Sequence, residues 1–161
     1  MALSATIHRF QIDLSDIDGG AYEQLDARVA RHPSESVPYL LTRVIAWALH
    51  AAEGAEMSGG GLSDADEPAL AVRDLTGRML MWIDIGNPGA DRLHRASKAI
   101  DRVAVYTYKD PEQLLEALTK FGVHKAEELE IFSLDAEFLS ALEETLGRNN
   151  AWTLVRTDGE L

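Results

Sequence analysis

Cysteine is absent from the 161 residues of this chain, which excludes disulfides, thiolate metal sites and a cysteine nucleophile. No apolar stretch of about 18 residues occurs, so no membrane-spanning helix is expected. The N-terminal MALSATIHRFQIDL carries no long apolar run. It reads as a strand rather than a signal peptide, and a cytoplasmic location follows as the expectation. Basic residues are few: 15 Lys and Arg stand against 27 Asp and Glu, for a net charge of -12. Coating nucleic acid non-specifically needs Lys and Arg, so that class is disfavoured, while a localised basic groove stays open. Familiar catalytic spacings are missing too. The five histidines form no HExxH, the serines no G-x-S-x-G elbow, and no dinucleotide fingerprint follows a strand. The glycines at 59, 60 and 61 are followed by no Gly-Lys-Ser/Thr, so they read as a loop rather than a phosphate cradle.

What is present fits an ordinary globular chain, with 46% hydrophobic and 26% charged residues. One domain spanning residues 1–161 is expected, large enough to bury a core without staples. Residues 6–14 alternate, with Phe10, Ile12 and Leu14 on one face, and predict a strand. AYEQLDARVARH after Gly19-Gly20 reads as a helix. A second helix is predicted from Ser34 or Ser36, with Pro38 in its first turn, through YLLTRVIAWALHAAE, apolar on nearly all sides and so centrally buried. Residues 54–65 read as a loop, and ALAVRDLTGRMLMWIDIG as a hairpin turning near Thr76-Gly77. ADRLHRASKAIDR is predicted helical and VAVYTY a strand. DPEQLLEALTKFG is a helix opened by Asp110 and Pro111, ELEIFSL a strand, and DAEFLSALEETLG a helix stopped by Gly147. AWTLVRTDGEL is a last strand entering a turn at Asp158-Gly159, with almost no partner strand following. This order suggests a three-layer α/β fold on a mixed central sheet flanked by helices.

One residue stands out electrostatically. In RMLMWIDIGNP, Met79, Met81, Ile83 and Ile85 face one way, and Leu80, Trp82 and Asp84 the other. A carboxylate in so apolar a strand is costly unless a metal, a cation or hydrogen-bond donors pair with it. The start of a hairpin's first strand lies beside the end of its second, so Asp66 or Glu67 should sit near Asp84. Paired carboxylates there would suit Mg²⁺, with an exposed acidic loop beside one backbone-satisfied acid as the alternative. On the following helix Arg92, Arg95, Lys98 and Arg102 share one arc. They form either a phosphate-binding stripe or a solvated face balanced by Asp91 and Asp101.

Several motifs in order carry a resemblance: MALSATIHRFQIDL, RHPSES, DEP, WIDIGNP, RLHRAS and VYTY, from Met1 to Tyr108. In these the chain resembles the YaeQ family, whose fold is similar to the PD-(D/E)XK, or restriction-endonuclease-like, nucleases. The resemblance implies Asp66, with Glu67 as a neighbouring candidate, and Asp84 as ligands for Mg²⁺, and Glu35 as a further acid from the first core helix. Such a site polarises a phosphate oxygen and activates a water. The superfamily's lysine two residues after the second acid is here Gly86. Arg95 or Lys98 would have to supply the charge, and Arg95 could act only electrostatically. Two functions follow as expectations. One is a Mg²⁺-dependent phosphodiesterase acting on DNA or RNA, with Glu35, Asp66, Asp84 and Arg95 catalytic and Arg92, Arg95 and Lys98 on phosphate. The other is a non-catalytic nuclease-fold module that binds a protein or nucleic acid.

Overall fold

Alternation carries the first strand as far as Asp16. The structure, a computed structural model, describes residues 4–58 and 66–161, and β1 spans Thr6–Asp16. After a turn at 17–20, β2 (Ala21–Arg31) returns antiparallel, in unbroken register from Thr6↔Arg31 to Asp16↔Ala21. The helix expected at AYEQLDARVARH is therefore a strand. Leu25 and Val29 lie four residues apart, a spacing that satisfies the helical and the extended period alike. Pairing with β1 decides between them, because it seats Leu25, Ala27 and Val29 on the core.

Ser36 caps α1 (Val37–His50), its hydroxyl accepting from the Tyr39 N–H at 3.2 Å. Leu40, Leu41, Val44 and Ile45 are fully buried, as an all-round apolar helix requires. A single 3-10 turn (Ala51–Glu53) follows, and the expected loop holds a two-residue strand, β3 (Glu56–Met57). Its glycine run and Asp64 lie outside the described residues.

The hairpin forms where expected. β4 (Leu70–Arg73) and β5 (Met79–Ile85) turn at Asp74–Gly77, where Asp74 Oδ1 accepts from Thr76 and Arg78 N–H. Then come α2 (Ala90–Ala99), β6 (Arg102–Thr107), α3 (Pro111–Phe121), β7 (Glu130–Ser133), α4 (Ala136–Thr145) and β8 (Asn149–Arg156). Because α2 ends at Ala99, Arg102 opens β6 and is not part of the helical basic arc. There it pairs with Glu53 and Glu130.

Two sheets replace the single one expected. Strands β2-β1-β8 make one, and β3-β4-β5-β6-β7 the other. Both are mixed, with β1/β8 and β5/β6/β7 parallel. The main core joins β1 and β8 to α1, α4 and the Met81, Ile83, Ile85 face of β5. On the opposite face Trp82, Val103 and Val105 pack on Leu93 and Ala96 of α2 and on Leu114 and Leu118 of α3. The five-stranded sheet thus has helices on both faces, and β5 is buried from two sides. At the C-terminal end, Asp18 accepts from the Asp158 and Gly159 N–H groups at 2.9 and 2.8 Å and pins the last turn to the β1–β2 hairpin.

Candidate functional site

Asp84 is the next-to-last residue of β5, set between the buried Ile83 and Ile85, and is 3% exposed. Its partner is an arginine. From the first turn of α2, Arg92 donates Nε to Asp84 Oδ2 at 2.9 Å and Nη2 to Oδ1 at 3.0 Å. The same Nη2 reaches the Glu67 carbonyl at 2.6 Å. The guanidinium also lies 5.0 Å from the Trp82 ring centre, a cation–π distance. Arg92 therefore ties the start of the hairpin's first strand to the end of its second. The expected proximity of residue 67 to Asp84 is real, but a cation joins them.

Glu35 repeats the arrangement at the N-terminal end of α1. It is 3% exposed, and Arg43 donates Nε to Oε2 at 2.9 Å and Nη2 to Oε1 at 3.0 Å. The His32 N–H adds a third bond at 3.2 Å. Arg43 also reaches the Ala30 carbonyl on β2 at 3.0 Å and Met57 Sδ on β3 at 3.5 Å. It thus clips the edge strand of one sheet to the edge strand of the other. Fork geometry and weak hydration suit arginine to such bidentate, half-dry pairs.

Tyr39 stands within the fields of both ion pairs. Burial, foremost, pushes its hydroxyl up to about 12; Arg43 opposes this, Glu35 and Asp84 reinforce it, and Arg92 opposes it again. The phenol stays neutral across the physiological range. Arg28, Val29, His32, Glu35, Tyr39 and Met57 are among the residues lining a cavity of about 320 Å³ between the two sheet edges.

The remaining predicted residues are less concentrated. Glu67 is half-buried and its Oε2 accepts from the Ser58 hydroxyl at 2.6 Å. Asp66 is exposed, as are Arg95 and Lys98 on α2. The structure joins Asp84 to the Glu67 carbonyl through Arg92, one turn before Arg95, while Glu35 is held separately by Arg43. Gly86 has φ +87° and donates to the Tyr106 carbonyl at 2.8 Å. That conformation favours glycine, and it turns the chain from β5 toward α2.

Tyr39 and Arg43 were missed from sequence. Arg43 had a signal, because it is the one charged residue between Val37 and Leu49 of a helix otherwise apolar on nearly every side.

The family model described as YaeQ protein matches residues 1–161. The chain belongs to the YaeQ family. Among its relatives is "Uncharacterized protein YaeQ" of Escherichia coli (strain K12), 32% identical over 108 residues. That alignment covers 67% of this chain and 59% of the relative. The protein of the same description from Salmonella typhi matches with the same identity and coverage. Thus only 59% of the length of these curated YaeQ relatives is spanned. The crystal structure of YaeQ protein from Pseudomonas syringae superposes with a TM-score of 0.86 at 31% identity, covering 96% of this chain and 86% of that one. YaeQ protein from Xanthomonas axonopodis pv. citri gives 0.85 at 32%, covering 96% and 88%. The two-sheet arrangement is thus similar to that of YaeQ proteins solved by crystallography. Among the described residues no helix is long and apolar enough to cross a membrane.

Proposed function

We propose that this chain is a non-catalytic module of nuclease-like ancestry that binds a protein or nucleic-acid partner at the cleft beside Tyr39. One observation carries this reading: the two buried acids that hydrolytic chemistry would need are each already matched, oxygen for oxygen, by an arginine. Mg²⁺ demands carboxylate oxygens able to enter an octahedral shell, with water filling the rest. Asp84 and Glu35 direct theirs at guanidinium groups, and one Glu67 oxygen takes the Ser58 hydroxyl. Among the described residues no three His, Asp or Glu side chains come together for a metal. The donor set as arranged does not fit the cation. The cleft is lined by Val29, Tyr39, Met57 and Ala69 together with His32, Ser58 and the charged Arg28, Glu35 and Arg43. A lining of this kind suits a base or an apolar side chain, held by polar groups around it.

A second reading, a Mg²⁺-dependent phosphodiesterase, draws support from Arg92, which bonds both Asp84 and the Glu67 carbonyl and so sets those two segments side by side. It requires Arg92 to release Asp84 when metal enters. The two readings separate in one experiment. Wild type and Asp84→Asn are incubated with single- and double-stranded DNA and RNA in Mg²⁺ or Mn²⁺, and their melting temperatures are recorded in the same buffers. The binding reading expects no cleavage and no metal-dependent stabilisation. Cleavage that disappears in Asp84→Asn, with a metal-dependent rise in melting temperature in wild type alone, establishes the phosphodiesterase instead.

A further inference from the structure

The edge of the three-stranded sheet carries a charge pattern along β2, of which Arg28, Val29 and Ala30 also line the cleft. Among the described residues β2 is the terminal strand of its sheet, with no strand paired along its outer side, where Arg43 Nη2 reaches the Ala30 carbonyl. It is 11 residues long, lacks proline, and keeps unbroken register with β1. Proteins ordinarily blunt so long an edge with prolines, bulges or repelling charges. Here the charges are placed differently. Along the strand Glu23 and Asp26 come first, Arg28 and Arg31 last.

We propose that the chain forms a two-fold homodimer in which β2 pairs antiparallel with β2 of a second copy, centred on Ala27. This register sets Asp26 opposite Arg28 on the exposed face. On the face toward the core it sets Glu23 opposite Arg31 and Leu25 opposite Val29. Residues directly opposite in an antiparallel pair share a face, so these assignments follow from the register alone. A two-fold axis makes each contact occur twice. Neighbouring registers fail: a centre at Asp26 or at Arg28 places that charge against its own copy. The register centred on Ala27 thus matches charge to opposite charge and apolar to apolar, and its neighbours do not. The inward pairs also cover Leu25 and Ala27, which are only partly buried in the single chain. Arg28 is exposed, whereas Asp26 already bonds Arg9 on β1 through both oxygens, at 3.0 and 2.6 Å. A carboxylate has lone pairs enough to accept from Arg28 of a second copy as well.

Sedimentation equilibrium of the full chain tests the proposal with two charge reversals, Arg28→Glu and Asp26→Lys. Wild type is expected to sediment as a dimer. Each variant alone faces two like-charge contacts across the axis and should self-associate about tenfold more weakly or worse, a factor equivalent to about 1.4 kcal/mol. An equimolar mixture of the two should recover dimer. In the mixed pair the native Asp26 of one copy meets the native Arg28 of the other, and the introduced glutamate meets the introduced lysine, so both contacts are again between opposite charges. Far-UV circular dichroism establishes that each variant is folded. Hydrogen exchange on wild type supplies a readout that needs no variant: amide protection along residues 22–30 should rise with protein concentration. A monomeric wild type at about 100 µM, variants that dimerise like wild type, a mixture that stays monomeric, or concentration-independent exchange in β2 each overturns it.

Discussion

Arg92 meets Asp84 with two nearly parallel hydrogen bonds of 2.9 and 3.0 Å, and the two residues do not bear the pair equally. The Asp84 side chain is 4% exposed, that of Arg92 23%. If the arginine is removed, the carboxylate is stranded in an apolar strand; if the acid is removed, the arginine has a route to water. We expect Arg92→Met to destabilise by about 3–5 kcal/mol and Asp84→Asn by clearly less. Urea unfolding of both, with the double variant completing the cycle, measures this asymmetry. Equal losses would show that the pair's cost does not lie in the buried acid.

Arg43 holds Glu35 and at the same time links β2 to β3. Arg43→Met keeps the length of the side chain and removes the charge. The expected loss is again about 3–5 kcal/mol, with faster amide exchange near Ala30 and Met57. Faster exchange confined to α1 would assign Arg43 to Glu35 alone.

Gly86 stands at φ +87°, and a Cβ there would meet Tyr108 and Tyr39 only at 3.8–3.9 Å, ordinary contact. Space is available, so the penalty is one of backbone conformation. Gly86→Ala should cost about 1–2 kcal/mol, read by thermal or urea unfolding. Gly86→Lys should carry the same backbone penalty and, on the proposed non-catalytic reading, confer no cleavage.

His50 is buried and bonded through Nε2 to the Tyr106 hydroxyl at 2.7 Å. Burial, foremost, lowers its pKa below the ordinary 6.5; Glu53 opposes the shift and Arg102 adds to it. The unfolded chain then binds the proton first as pH falls. Stability should be flat with respect to this group above about 6.5, decline as pH drops below that value, and stop declining once the folded-state pKa is passed. His50→Gln should remove that part of the decline. A stability profile between about pH 7.5 and 5 that is unchanged by the substitution would assign the slope to other groups.

Much of this was legible along the chain. Period-two alternation located β1, a nearly continuous apolar run located β5, Ser34 or Ser36 and Asp110 marked two helix starts, and Thr76-Gly77 marked the hairpin turn. These are local properties, set by torsional preference and by which residues a short element can bury. The same locality explains the error at 21–32, where a four-residue apolar spacing fits helix and strand equally and only pairing with β1 resolves it.

The sequence by itself determined that Asp84 needs a partner, whether a metal, a cation or hydrogen-bond donors, because a carboxylate buried in an apolar strand is costly alone. It could not say which one. A metal, Arg92, Arg95 and Lys98 all lay within plausible reach, and their order depends on how sharply the chain turns after β5. That turn is made by Gly86 at positive φ, and it brings the first turn of α2, not the second, over the strand end. Tertiary structure alone decided that Arg92 answers Asp84, that Arg43 answers Glu35, and that the strands divide into two sheets. Each of these follows from long-range packing of faces, whose energies no local stretch of sequence contains.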